Sequence, residues 1–226
     1  MKRSASKQET VVVVGAGMVG HRLCTRLCEL DRDGHFRVVL IGEEPRAPYD
    51  RVNLTQYYDT GDGDALLLSE PGFYGDKHIE LHVHKRVTAI DRANKMLTLD
   101  DGRTQTYDKL ILATGSSAFM PRIPGIEKPG VFAYRTIDDL AAIARYGRGA
   151  KRAAVLGGGL LGLEAARAMQ ALGLETHVVE LAPRLMPRQL DDAGAKLLLN
   201  SIVAMGVTAH LGKATQAIIG DAACGG

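Results

Sequence analysis

The feature that most limits how this chain can fold is a pattern that occurs twice. Residues 11–20, VVVVGAGMVG, and residues 153–166, AAVLGGGLLGLEAA, each run from an apolar stretch through three glycines into a helical pattern. Apolar residues throughout the first part suit a parallel strand buried on both faces. The first glycine, Gly15 or Gly157, permits a sharp turn. The second, Gly17 or Gly159, removes a side chain where backbone must approach a pyrophosphate. The third, Gly20 or Gly162, lets the helix pack close to the strand. The helix N-terminus, at Met18 and Val19 or at Leu160 and Leu161, then offers free N–H groups and a positive dipole end to phosphate.

Each unit continues into a second apolar strand that ends in an acid about 20 residues past the third glycine. FRVVLIGEEP reaches Glu43, and THVVEL reaches Glu180. An acid at that place accepts hydrogen bonds from an adenosine ribose and repels a 2′-phosphate, which favours NADH over NADPH in the second unit. Arg184 follows closely, and an arginine there can instead accommodate the phosphate. The fold expected is α/β, with two Rossmann-like dinucleotide-binding domains and a C-terminally incomplete second half.

Between the units the chain changes character. APYDRVNLTQYY reads as a loop or short helix. IELHVHKRVTAID reads as a strand, KMLTLDDGRTQTYDK as a hairpin turning at Asp101-Gly102, and KLILATG as a buried strand. The Pro- and Gly-rich PRIPGIEKPG, residues 121–130, makes the boundary, giving domains over 1–120 and 121–226.

Composition excludes several classes. The 226 residues are 46% hydrophobic and 24% charged with a net charge of +2, so the chain is expected to be globular. No basic run suggests nucleic acid, and no run reaches the ~18 apolar residues of a membrane span. Lys2, Arg3 and Lys7 ahead of an apolar stretch imitate a secretory signal. Glu9 interrupts it, however, and HRLCTRLCEL continues as an amphipathic helix, so a cytoplasmic location is expected. Cys24 and Cys28 read as packing residues on one helix, Cys224 lies in a Gly-rich tail, and no C-x-x-C pair exists. His21, His177 and His210 read as single structural histidines without metal-ligand partners, and no metal site is expected.

The strings GMVGHR, APYDRVNL, ATGS, YRTIDDL, GGGLLGLEAA and THVVELAPRLMPRQLD resemble the N-terminal part of the large subunit of NAD(P)H-dependent assimilatory nitrite reductases. These belong among the flavoprotein reductases with two dinucleotide-binding domains. The resemblance implies FAD in the first unit and NADH in the second, with hydride passing from nicotinamide to flavin and electrons then leaving to an acceptor domain or protein. Siroheme and an iron–sulfur cluster would belong to a part of the parent protein outside this chain. Because the cofactors carry the chemistry, no catalytic triad or acid–base dyad is expected.

The resemblance also implies roles for single residues. Gly15, Gly17 and Gly20 would hold the FAD pyrophosphate and Glu43 its ribose. Arg51 would run near the flavin, though it also reads as a solvated loop arginine. Gln56 stands where many ferredoxin and rubredoxin reductases have a lysine. Val87 would meet the adenine through its backbone while its side chain serves the core. Ala113, Thr114 and Gly115 would close over the flavin, or Thr114-Gly115 simply ends a strand. Glu164 would lie near the nicotinamide amide, although the helix dipole alone would favour an acid there.

EEPRAPYDRVNLTQ contains no cysteine, which disfavours disulfide-reducing and peroxide-reducing activities that need a thiolate on this segment. AIIGDAACGG at the end reads as a strand and turn of the second domain, leaving no length to re-enter the first, so weak FAD retention is expected. Two other readings stand beside the leading one: a stand-alone NADH-dependent ferredoxin or rubredoxin reductase, and a nucleotide-binding fragment that does not turn over.

Overall fold

Val11–Val14 are four successive β-branched residues, and all four are buried in a parallel sheet. The computed structural model of the chain describes residues 8–220. In chain order its elements are β1 (Glu9–Val14), α1 (Met18–Leu30), β2 (Phe36–Ile41), the short α2 (Tyr57–Thr60) and α3 (Phe73–Asp76), and β3 (Ile79–His82). Next come β4 (Val87–Asp91), β5 (Met96–Leu99), β6 (Thr104–Thr106) and β7 (Lys109–Leu112). The chain continues with α4 (Ile137–Gly147), β8 (Arg152–Leu156), α5 (Leu160–Ala171), β9 (Glu175–Glu180), α6 (Asp192–Ala204) and β10 (Val207–Leu211).

These elements form two units. The first holds the chain to Val52 together with Asp64–Ser117, and the second holds Asn53–Gly63 and the chain from Ala118 on. A single cut at 120 would put Asn53–Gly63 in the first half. It groups with the second because Thr55 Oγ1 meets Tyr134 OH at 3.1 Å and Tyr58 OH donates to Leu140 O at 3.4 Å.

In the first unit four parallel strands lie in the order β3-β2-β1-β7. Alternation along β1 and β2 sends Val11, Val13, Val38 and Leu40 to one face, where Cys24 of α1 packs on them. Val12, Val14, Val39 and Ile41 face the other way, against Leu97 and Leu99 of β5. Each such burial is worth roughly 1.5–3 kcal/mol, which explains why both faces of these strands are apolar.

Three sequence expectations need correction here. The stretch IELHVHKRVTAID forms two strands: β3 pairs parallel with β2, and β4 pairs antiparallel with β5 in a separate β4-β5-β6 sheet. His84 breaks the run with φ +53°, and the next N–H, of Lys85, turns back to Gly42 O. β7 is an edge strand, not a fully buried one; Leu112 is 59% exposed because no strand among the described residues pairs with its outer side. The third concerns the chain end. Residues 213–220 form no strand. Ile218 N–H donates to Pro124 O at 2.8 Å, and proline has no N–H with which to extend a ladder. The rest of that expectation, Asp221 onward with Cys224, lies outside the described residues.

The second unit has three parallel strands in the order β10-β9-β8. Ala166 of α5, Ile202 of α6, Val178 of β9 and Val207 of β10 share one core with Leu185. A capping box starts α4: Thr136 Oγ1 accepts from Asp139 N–H, and the Asp139 carboxylate accepts from Thr136 N–H.

Candidate functional site

The two glycine turns are built alike. Gly15 has φ +115° and Gly157 φ +113°, a region that only glycine enters readily. Gly15 N–H donates to Ile41 O and Gly157 N–H to Val179 O, both at 2.8 Å, which ties each turn to the end of its second strand. A Cβ on Gly20 would stand 2.0 Å from Gly15 O, and one on Gly162 would stand 2.0 Å from Gly157 O. A Cβ on Gly17 or Gly159 would meet nothing within 4 Å. Both glycines therefore face open space at the start of a helix. They are the N-caps of α1 and α5 and supply no side-chain acceptor to the first turn. The N–H groups at Met18 and Val19, and at Leu160 and Leu161, belong to the part of a helix that lacks intrahelical partners. This open, donor-rich cradle fits a pyrophosphate.

Around the first cradle, three groups of residues named from the sequence come together. Ala113 N–H donates to Val14 O at 2.7 Å, and the Ala113 carbonyl oxygen lies 2.1 Å from the point where a Gly15 Cβ would stand. Thr114 and Gly115 continue from there as exposed, irregular backbone. Glu43 lies just beyond the end of β2, largely exposed, with Arg86 Nε 3.5 Å from its carboxylate. Val87 follows Arg86 directly and packs half-buried against the Val12 side of the sheet, so Glu43 and Val87 share one corner.

Arg51 is not a solvated loop arginine. Its guanidinium is 2.5 Å from Glu44 Oε1 and sits over the Tyr49 ring, 4.9 Å from the centroid. Tyr49 OH donates to the other Glu44 oxygen at 2.7 Å. Sequence reasoning chose Glu43 and passed over Glu44. The available signal was the double acid itself, since adjacent side chains point apart and a second acid needs its own partner.

In the second unit, Glu180 accepts from Gly158 N–H at 2.6 Å and from Ala182 N–H at 2.7 Å. The carboxylate thus straps the glycine turn to the chain beyond β9, with lone pairs left on each oxygen. Gly158, also missed from sequence, is closely packed: a Cβ there would stand 2.6 Å from Leu185 Cδ2 and 3.1 Å from Glu180 Cβ. Arg184 is turned to Asp192, 2.5 Å away, and to Pro187 O at 3.3 Å. Glu164 lies half-buried in α5.

The histidines and cysteines divide. His21 Nδ1 is 2.8 Å from Tyr74 OH, and burial followed by nearby Arg22 lowers its pKa. His177 and His210 meet each other: parallel pairing of β9 and β10 sets His177 Nδ1 3.1 Å from His210 Nε2, with the rings stacked. Period-2 alternation placed both on one face, a relation invisible before the register is known. Among the described residues no group of three or more His, Cys, Asp or Glu could hold a metal. Cys24 is fully buried, and burial pushes its thiol up to about 12. No helix among the described residues is long and apolar enough to cross a membrane.

Comparison with known proteins agrees with this geometry. Residues 9–224 match the family model described as pyridine nucleotide-disulphide oxidoreductase. The chain is 46% identical over 209 residues to the nitrite reductase [NAD(P)H] large subunit of Klebsiella oxytoca, covering 92% of this chain and 22% of that protein. It is 38% identical to the assimilatory nitrate reductase electron transfer subunit of Bacillus subtilis, covering 95% of this chain and 28% of that one. A ferredoxin reductase from Rhodopseudomonas palustris superposes with a TM-score of 0.88 at 32% identity, over 95% of this chain and 53% of that chain. The chain belongs to the pyridine nucleotide-disulphide oxidoreductase family.

Proposed function

We propose that this chain is the electron-entry module of an NAD(P)H-dependent nitrite reductase large subunit, taking hydride from NADH onto FAD. The observation that carries this reading is the repeated cradle: two glycine turns of one geometry, each with an acid at or just past the end of its second strand, on two separate parallel sheets. One nucleotide donates and the other receives, so one chain needs both.

In the first unit, Gly15, Gly17 and Gly20 with the Met18 and Val19 N–H groups would hold the FAD pyrophosphate. Glu43 and the Val87 backbone would meet its adenosine, and Ala113, Thr114 and Gly115 would line its path. Arg51, fixed by Glu44 and Tyr49, would supply a positive charge near the flavin. FAD, when bound, supplies the hydride-accepting ring and releases electrons singly or in pairs. In the second unit, Gly157, Gly159 and Gly162 with the Leu160 and Leu161 N–H groups would hold the NADH pyrophosphate, and Glu180 would accept from the ribose. Arg184 is engaged with Asp192, which supports NADH over NADPH. Glu164 would serve the nicotinamide end.

The electron acceptor would be another protein or domain, consistent with the partial span of the nitrite reductase relative. A cytoplasmic location fits the free thiols at Cys24 and Cys28. The test is a visible absorption spectrum of the FAD-supplemented chain before and after anaerobic NADH. A flavin spectrum that bleaches supports the reading. A flavin band that persists with NADH bound opposes it and favours a nucleotide-binding chain that does not turn over. If the flavin bleaches, preferential reoxidation by a ferredoxin would instead favour a ferredoxin reductase.

A further inference from the structure

Four polar side chains run in a line across the sheet of the second unit, from β8 through β9 to β10. Arg152 Nε donates to Glu175 Oε2 at 3.0 Å, and His177 Nε2 lies 3.2 Å from the other Glu175 oxygen. His177 Nδ1 in turn lies 3.1 Å from His210 Nε2. Strand alternation puts these residues on the face away from α5 and α6, where Val178 and Val207 pack. The register sets Ala154 and Thr208 on either side of His177. Both are small and exposed, so the two rings open to solvent.

These contacts fix which nitrogen of His177 carries a proton. An ionised carboxylate only accepts, so His177 donates from Nε2, and the neutral ring keeps its lone pair on Nδ1, facing His210. His210 has two tautomers. With its proton on Nε2 the rings share a hydrogen bond, and with it on Nδ1 two lone pairs converge. Converging lone pairs are a place for a cation. Two imidazole nitrogens on one tetrahedral zinc ion, each at about 2.0–2.1 Å, stand about 3.3 Å apart. The 3.1 Å found here is close to that separation. A carboxylate on the far nitrogen of a ligating imidazole is the common outer partner of such an ion, because it orients the ring and raises its basicity. Glu175, itself held by Arg152, stands in that place.

We propose that His177 and His210 form a binding site for a divalent transition-metal ion such as zinc, with Glu175 orienting His177 and water completing the coordination. Imidazole nitrogen selects such ions over magnesium and calcium, which prefer oxygen. With two protein ligands the site is weaker than a centre of three or four, and no group of that size occurs among the described residues. An ion bound there ties the edge strand β10 to β9. The histidines are 33 positions apart, which hides the pair from sequence spacing and explains why no metal site was expected.

The test is a calorimetric titration of the untagged full chain with Zn2+, with Mg2+ as the control ion. Expected is a binding step for Zn2+ and none for Mg2+, together with movement of the His177 and His210 imidazole resonances as that step fills. His177→Gln and His210→Gln should each abolish the step, and His82→Gln, in the first unit, should leave it unchanged. His210 is exposed, so its variant keeps the fold even where the His177 variant does not. Glu175→Gln keeps the shape, removes the charge and should weaken binding about tenfold. Absence of a Zn2+ step, a step that survives either histidine variant, or imidazole resonances that do not move overturns the proposal. An affinity unchanged in Glu175→Gln overturns the part given to Glu175.

Discussion

A Cβ placed on Gly162 would stand 2.0 Å from the carbonyl oxygen of Gly157, a distance repeated between Gly20 and Gly15. Helix and turn touch through backbone alone, so neither side has a flexible group that can yield. Gly162→Ala should therefore cost about 3 kcal/mol and lower Tm by several degrees. Gly159→Ala should leave Tm unchanged, because a Cβ there meets nothing within 4 Å. It should nevertheless weaken NADH binding by about tenfold, roughly 1.4 kcal/mol, because the methyl enters the space kept for pyrophosphate. Thermal melts and NADH titrations of the two variants separate the roles.

Glu180 makes a second division testable. Its carboxylate holds Gly158 N–H and Ala182 N–H. Glu180→Ala should lower NADH affinity by about tenfold, the scale of a hydrogen bond to a charged group, and NADPH affinity by less. The NADH-to-NADPH preference should then narrow. A preference that stays fixed would show that Glu180 serves only to strap the turn.

His21 predicts a pH effect. Burial, then the charge of Arg22, lowers its pKa below the usual 6.5 in the folded chain. The unfolded chain therefore binds the proton first as pH falls. The His21 contribution is complete above pH 6.5 and is lost between there and the lowered folded value. Tm should drop across that window, and His21→Gln should flatten this part of the profile.

Much of the architecture was legible because it depends on local rules. Val11–Val14, three spaced glycines and a helix pattern specify a strand, a turn and a helix with no help from distant residues. The acids at Glu43 and Glu180 follow from the length of one strand-helix-strand unit. Other relations depend on which distant backbone becomes a neighbour. Residues 79–91 offered one apolar alternation, and it took the pairing of β3 with β2 and of β4 with β5 to split them between two sheets. Glu44 gained its role only when the loop carried Tyr49 and Arg51 back to it.

Asn53–Gly63 shows the same limit most clearly. Its polar, aromatic sequence fits a loop or short helix in any context, and chain order places it with the first glycine turn. Two side-chain hydrogen bonds, to Tyr134 and to Leu140, instead group it with the second unit. Glycine spacing and β-branched runs act within a few residues through sterics, so they can be read from order alone. Hydrogen bonds such as Thr55 to Tyr134 span 79 residues and exist only once the intervening chain has folded.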